Sequence, residues 1–276
     1  MKFNNETLRA AVKDWLDDEN QAEEKYGHIS KWDVSEVTNL RRLFAAEMTE
    51  DGDYTSTISS IDLSGWDVSK VTDMSEMFQC TDQLESISLA NWDVSSVTNM
   101  QGMFESAECL TDIDIINWDV SNVTNMKFMF GNAMAFNIDI SNWDVSNAKN
   151  MNGMFQDAQE FNQDIGNWDV SNVTDMGYMF GGATSFNQPI GDWDVSNVTD
   201  MGGMFIAAYS FNQPLNNWDV SNVTNMGSMF IAASAFNQDI SNWCVTNIPS
   251  EPTNFSDLSP LTESNKPIWG TCPSST

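Results

Sequence analysis

Large apolar side chains return along this chain at a nearly fixed interval. Tryptophans stand at Trp32, Trp66, Trp92, Trp118, Trp143, Trp168, Trp193, Trp218 and Trp243, separated by 34 residues once, by 26 twice and by 25 five times. The unit around them reads FNQDIxNWDVSNVTxMxxMFxxA and is intact from Phe161 to Thr184. Its WDVS core occurs eight times between Trp32 and Ser221, and a ninth turn closes the series as WCVT at Trp243. A period near 25 is too short for a self-standing domain, so each coil must bury its apolar face against its neighbours. The fold class this predicts is a repeat solenoid.

Eight positions of the unit keep their type, and in the copy that begins at Phe161 they are Phe161, Ile165, Trp168, Val170, Val173, Met176, Met179 and Phe180. Full burial makes each worth about 1.5–3 kcal/mol. Columns of aromatic and methionine side chains are therefore expected to hold the stack together. The alternation around Ile165, Trp168 and Val170 predicts short strands. Val173, Met176 and the Met179–Phe180 pair recur every three or four residues, which predicts a short helical turn.

The ends differ from the middle. Residues 1–31 read as an N-terminal helical cap, with Leu8, Val12, Trp15 and Leu16 forming an apolar stripe over residues 5–26 and Asn5 as its N-cap. Residues 32–243 are the array of about nine coils. Residues 244–276 read as an irregular C-terminal cap, broken by Pro249, Pro252, Pro260, Pro267 and Pro273 and anchored by Phe255, Leu258, Leu261, Ile268 and Trp269. The long first interval holds EMTEDGDYTST, residues 47–57, a polar loop expected to bulge from the stack and a candidate binding insertion.

Composition narrows the function. A hydrophobic fraction of 41% with 11% aromatics excludes disorder in spite of a net charge of −29. Asp and Glu number 40 against 11 Lys and Arg, so the surface repels phosphate backbones and anionic lipid. Nucleic acid is excluded as a partner, and so is direct membrane insertion, since no apolar run approaches the roughly 18 residues of a span. The opening MKFNNETLRAAVKDW turns polar at once and carries no signal-peptide stretch.

Four cysteines show no paired metal-type spacing. Cys80 and Cys109 lie on adjacent coils, three positions apart in register, and are one candidate bridge. Cys244 and Cys272 are the other, and their bond would staple the tail to the last coil with about 3–4 kcal/mol in the chain-entropy model. The alternative there is two free, buried thiols. A bridge at the end of an array fits an oxidising compartment and an extracellular or cell-surface protein.

Repeated polar residues form columns with chemistry of their own. Asp93, Asp119, Asp144, Asp169, Asp194 and Asp219 belong to one, which Asp33 and Asp67 begin. Each Asp with the Ser two places on fits a turn cap; a row of calcium sites between coils is the rarer reading, without the glycine-rich turns that calcium repeats carry. The Thr–Asn column (Thr98–Asn99 to Thr224–Asn225) fits hydrogen-bonded ladders better than an ice-binding face, because Lys149 interrupts it. Asn122, Asn172, Asn197 and Asn222 stand in NVT triplets, and Asn5 and Asn254 in further sequons. No catalytic set emerges: His28 is the sole histidine, and P-loop, GxSxG and HExxH motifs are absent. The sequence predicts no enzyme and no cofactor, calcium being the one ion it leaves open.

The WDVSNVTxMxxMFxxA motif followed by FNQDIxNW resembles the 26-residue repeat of bacterial surface proteins, the DUF285 family, related to the BspA-type leucine-rich repeats. MFQCTDQLESISL, residues 77–89, is similar to the AFxxCxxLxxIxI pattern, with Cys80 and Leu84 in the matching places. The resemblance covers nearly the whole chain. It implies a leucine-rich-repeat-like solenoid, exposed at a surface and associated with adhesion, with no catalytic residues to carry over. The expected function is a binding module that recognises protein or glycan along one face, with Lys127, Tyr178 and Tyr209 as contact positions. The alternative is an assembly component of an extracellular layer, filament or particle, bridged by cations. Nothing in the sequence sets the oligomeric state.

Overall fold

A computed structural model of the chain describes residues 1–48 and 54–273. The chain opens with helix α1 (Asn5–Asp17), whose start is set one residue earlier than expected. Asn4, not Asn5, is the cap: its Oδ1 accepts from Glu6 N at 3.0 Å and Thr7 N at 2.9 Å, while Thr7 Oγ1 accepts from Asn4 N at 2.9 Å. Asn5 turns instead toward the first unit, where its Oδ1 accepts from Thr38 N at 3.0 Å. Leu8, Ala11, Val12 and Trp15 form the buried stripe, and Leu16 is left on the exposed side. Asp18, in extended conformation, ends α1 and caps α2 (Glu19–Tyr26) through Gln21 N at 3.0 Å, so the single helix expected over 5–26 is two.

From Trp32 onward each unit lies in parallel register on the next. Asn39, Asp73, Asn99, Asn125, Asn150, Asp175, Asp200 and Asn225 are linked one to another by single parallel bridges. Full strands occur early: β1 (Glu47–Met48) and β2 (Tyr54–Thr55) make a small antiparallel pair, and β3 (Ser60–Asp62), β4 (Ser86–Ser88) and β5 (Asp112–Ile113) make a parallel sheet of three. The tip of the expected 47–57 insertion, residues 49–53, lies outside the described residues.

No strand was found around Ile165, Trp168 and Val170, where one was expected. The change of period explains it. Leu84 to Trp92 and Leu110 to Trp118 are eight residues apart, whereas Phe136 to Trp143 and Phe161 to Trp168 are seven. The residue lost is the strand's. An asparagine amide then replaces the main-chain ladder: Asn162 N donates to Asn137 Oδ1 at 3.0 Å, and Gln163 Nε2 donates to Asn137 O at 2.9 Å. The same pair of bonds recurs at Asn187–Gln188, Asn212–Gln213 and Asn237–Gln238.

The expected helical turn is also absent from the repeats among the described residues. Met176, Tyr178, Phe180 and Gly182 donate their N–H groups to Asp200, Gly202, Met204 and Ile206 of the next unit, while Met179, Gly181 and Ala183 close local turns on Met176, Tyr178 and Phe180. Tyr178 and Gly182 adopt φ of 56° and 69°, and a left-handed residue at every fourth position reverses any helical path. The side chains that looked helical therefore point inward from a chain of tight turns.

All eight type-keeping positions are buried as expected. The indoles stack with centroids 6.3–6.5 Å apart from Trp32 to Trp143. A second column runs through Phe130, Phe155, Phe180 and Phe205 at 5.8–5.9 Å, with Phe136, Phe161, Phe186 and Phe211 laid against it at 3.9–4.2 Å.

The tail is more regular than its prolines suggest. Ser228, Phe230 and Ala232 donate N–H to Thr253, Phe255 and Asp257, as earlier units do to their successors. Asn254 and Leu258 carry the two left-handed φ values, 55° and 62°, and Thr262 N donates to Asn237 Oδ1 at 3.1 Å. Residues 252–265 thus follow the path of one further, degenerate unit, and the segment after it is joined back to the WCVT turn by the Cys244–Cys272 disulfide. Phe255 and Leu261 are its anchors, with Trp269 packed edge-on against Phe255 at 4.9 Å. Leu258 and Ile268, expected beside them, are 84% and 74% exposed.

Candidate binding site

The Asp column is a series of separate turn caps. Asp93 Oδ1 accepts from Ser95 Oγ at 2.6 Å and Ser95 N at 3.1 Å, and Asp119 holds Ser121 at the same distances. Asp144, Asp169, Asp194 and Asp219 each accept from the N–H of Ser146, Ser171, Ser196 and Ser221 at 3.0 Å. The serine bonds hold the carboxyls of Asp93, Asp144 and Asp194 below the usual 3.8. Among the described residues no three His, Cys, Asp or Glu side chains converge on a point where a metal ion would sit. The six calcium candidates are therefore not brought together.

The other polar columns also face their neighbours. Thr124, Thr199 and Thr224 hydroxyls donate to the carbonyls of Thr98, Thr174 and Thr199 at 3.1–3.3 Å. The sequon asparagines Asn122, Asn172, Asn197 and Asn222 donate Nδ2 to Ser95, Ser146, Ser171 and Ser196 carbonyls, each at 2.8 Å. His28 caps the 3-10 turn Ile29–Lys31, its Nδ1 lying 2.8 Å from Ser30 Oγ.

Cys80 and Cys109 are free, and their candidate bridge is not made. Cys80 N donates to Glu105 O, which sets Cys80 opposite Ser106, and Cys109 lies three residues further on in the following turn. Burial pushes the Cys80 thiol up from 9.0.

What remains open lies where units differ. On the face built from the two positions after each first Met and from the turn beyond MF, the early units are charged. Arg41 and Arg42 bind Glu76 at 3.1 and 2.9 Å, Glu105 accepts from Gln79 Nε2 at 2.7 Å, and Lys127 lies 5.3 Å from the Phe128 ring. From Gly177 onward the same positions lose every charge: Gly177, Tyr178, Gly181 and Gly182, then Gly202, Gly203, Ile206, Ala207 and Tyr209, then Gly227, Ser228, Ile231 and Ala232. Tyr178 and Tyr209 are 44% and 51% exposed on this neutral ground. The Tyr178 ring lies across Gly203 of the next unit, where a Cβ would collide with it.

A second opening, a groove of about 760 Å³, lies between the helical cap and the sheet. Trp15, Leu16, Glu19 and His28 line one wall, and Ser60, Asp62, Ser86, Ser88, Asp112 and Asp114 the other. Sequence reasoning marked Tyr178, Tyr209 and Lys127, but not this groove, because it depends on where the helices come to rest.

Stacked units whose exposed polar columns bond within their turns and to the adjacent units, together with two open surfaces, define a repeat protein. The chain belongs to the family described as Mycoplasma protein of unknown function, DUF285, whose model matches residues 16–86, 47–167 and 155–267. That description assigns no reaction. No curated protein matches the chain. No helix among the described residues is long and apolar enough to cross a membrane, and the disulfide is compatible with an extracellular protein.

Proposed function

We propose that the chain is a leucine-rich-repeat-like solenoid acting as a non-catalytic binding module at an extracellular or cell surface. It docks protein or glycan along the neutral face that carries Tyr178 and Tyr209. One observation carries the reading: on a molecule of net charge −29, the positions after each first Met and beyond MF carry no charged residue from Gly177 to Ala232, with the half-buried Asp175 and Asp200 carboxylates at their border, and two tyrosines stand exposed among them. Tyrosine supplies large contact area at low entropic cost and is enriched where binding energy concentrates. The unit-to-unit hydrogen bonds make the face rigid before any ligand arrives, which lowers the cost of docking.

The test is to probe protein and glycan arrays with the wild type and with a Tyr178→Ser/Tyr209→Ser double variant. Ligands recognised through this face should lose at least about tenfold in affinity, the effect of removing two central aromatic contacts. If every ligand binds both proteins equally, the face is not the site. Light scattering in millimolar calcium and in chelator addresses the assembly reading. A monomer in both is expected, and a calcium-dependent multimer would put the cation-bridged assembly first.

A further inference from the structure

The sheet has an unpaired edge. Ser59 O accepts from Glu85 N at 2.8 Å and Leu63 N donates to Ser88 O at 3.0 Å, with Ile61 paired between them. Odd-numbered residues of β3 therefore face β4, and the N–H and C=O groups of Ser60 and Asp62 point the other way. Among the described residues those four groups meet no partner, and both residues are exposed. Counting back from each tryptophan, the place a preceding strand would take falls on Tyr26 to His28, the end of α2 and the start of a 3-10 turn. A helical cap thus stands where a strand would pair, and the groove of about 760 Å³ separates it from the sheet.

Natural edges are commonly blocked by lysine, proline, a bulge or a covering element. This one carries Ser60 and Asp62, with Glu19 across the groove, while Asp112 and Asp114 line the same groove from the β5 side, two strands away. A second copy of the chain, itself at −29, is repelled from so acidic an edge, whereas a basic strand is drawn to it. Leu16 offers apolar contact on the cap side, beside the small exposed edge of the largely buried Trp15.

We propose that β3 is a strand-addition site: an extended, basic segment of a partner protein pairs with the outward main-chain groups of Ser60 and Asp62. Its Lys or Arg side chains reach Asp62 and Glu19, and its alternate apolar side chains rest on Leu16 and the exposed edge of Trp15. Main-chain bonds supply the pairing and alternate side chains the selectivity, as in other strand-addition complexes. The site is separate from the tyrosine face and stands or falls independently of it.

The probe is a fluorescein-labelled Lys-Val-Lys-Val-Lys-Val peptide, titrated with the full chain at low salt and followed by anisotropy. Two controls carry the same charge but have alternate main-chain nitrogens methylated, one in each frame. The parent should bind, and at least one methylated peptide should bind tenfold or more weakly. Ser60→Pro should also weaken the parent peptide tenfold or more, because the lost N–H faces outward and the β4 ladder keeps its bonds. Ser60→Ala should stay within twofold, and the Tyr178→Ser/Tyr209→Ser variant should bind the peptide as the wild type does. No binding of the parent peptide overturns the proposal. So does equal binding of all three peptides, which would leave charge attraction alone. Should Ser60→Pro fail to fold, the methylated peptides on the wild-type chain decide the matter.

Discussion

Replacing Trp143 by Phe should destabilise the protein more than the same change at Trp118, although the two indoles are neighbours in one column. Their centroids are 6.4 Å apart with planes 9° from parallel, and their exposures are 3% and 6%. Each change removes the same atoms from closely matched surroundings, so transfer and cavity terms nearly cancel. The difference lies in one hydrogen bond. Trp143 Nε1 donates to Ile115 O at 2.9 Å, as Trp92 does to Leu63 O and Trp243 to Leu215 O. Trp118 Nε1 is buried and meets no acceptor among the described residues. Phe at 143 forfeits a net contribution of about 0.5–1.5 kcal/mol; the Ile115 carbonyl keeps the main-chain N–H of Trp118 at 3.1 Å and is not stranded. Phe at 118 removes an unsatisfied buried donor, relieving a penalty of about 1–3 kcal/mol. The variants should therefore differ by about 1.5–4.5 kcal/mol in favour of Trp118→Phe. Urea unfolding followed by both circular dichroism and tryptophan fluorescence measures this, with coincident transitions required because repeat arrays can lose all-or-none behaviour. Equal midpoints at equal slopes, or a greater loss at Trp118, would refute the reasoning.

Gly203→Ala should cost about 1–2 kcal/mol, since φ is 62° and the Tyr178 ring occupies the space of the new methyl group. Gly227→Ala, at ordinary φ and with only Asn225 Oδ1 at 3.4 Å, should fall within about 0.5 kcal/mol of the parent in the same urea titration. Glu105 has the opposite electrostatics to the Asp column: burial first, then Glu76, push its carboxyl above 4.5 against the bond from Gln79. Its folded pKa exceeds the unfolded one, so its contribution is full below 4.5 and is lost as pH rises through the raised value. Glu105→Gln should accordingly raise the unfolding midpoint at pH 7 and hardly at pH 4; an equal shift at both would contradict the burial argument. Cutting the Cys244–Cys272 bond, 28 residues apart, should cost about 3–4 kcal/mol in the chain-entropy model, read from melting with and without reductant. Thiol titration of the unreduced native protein should find Cys109 reacting fast and Cys80 slowly, and finding no free thiol would restore their bridge.

The buried columns were legible because identical positions recur at a counted interval, and a period needs no knowledge of local geometry. Local geometry itself was less so. Val173, Met176 and Met179 have helical spacing, yet the left-handed residue that prevents a helix is Arg42, Glu76, Phe128 or Tyr178 in some units. None of these advertises positive φ. Gly102, Gly153 and Gly203 in the same column did carry the signal, and stacking the units would have exposed it. The end of the sheet after β5 was written in the shortening from 26 to 25 residues, a count that locates the deletion only once Leu110 and Phe136 are placed in equivalent positions. The further unit at 252–265 was hidden by its prolines, and no pattern marks Leu258 as left-handed. The open edge of β3 had no sequence signal, because it exists only through α2 taking the place of a strand.

These differences bear on where function can reside. In a stack, a polar residue repeated in every unit has a copy of itself as its nearest neighbour, and hydrogen bonding between copies or within each turn is the nearest use for it. Asp93 with Ser95, Thr124 with the Thr98 carbonyl and Asn172 with the Ser146 carbonyl all take that course. Their regularity is the reason they are unavailable: a ligand reaching them would have to replace bonds the stack already makes. Positions that break the repeat have no such copy. Lys127, Tyr178 and Tyr209 stand out from their columns, and β3 faces a cap where a unit would otherwise stand. Recognition should therefore follow the irregular residues, and substitutions in the regular polar columns should register as lost stability with ligand affinity unchanged in the protein that remains folded.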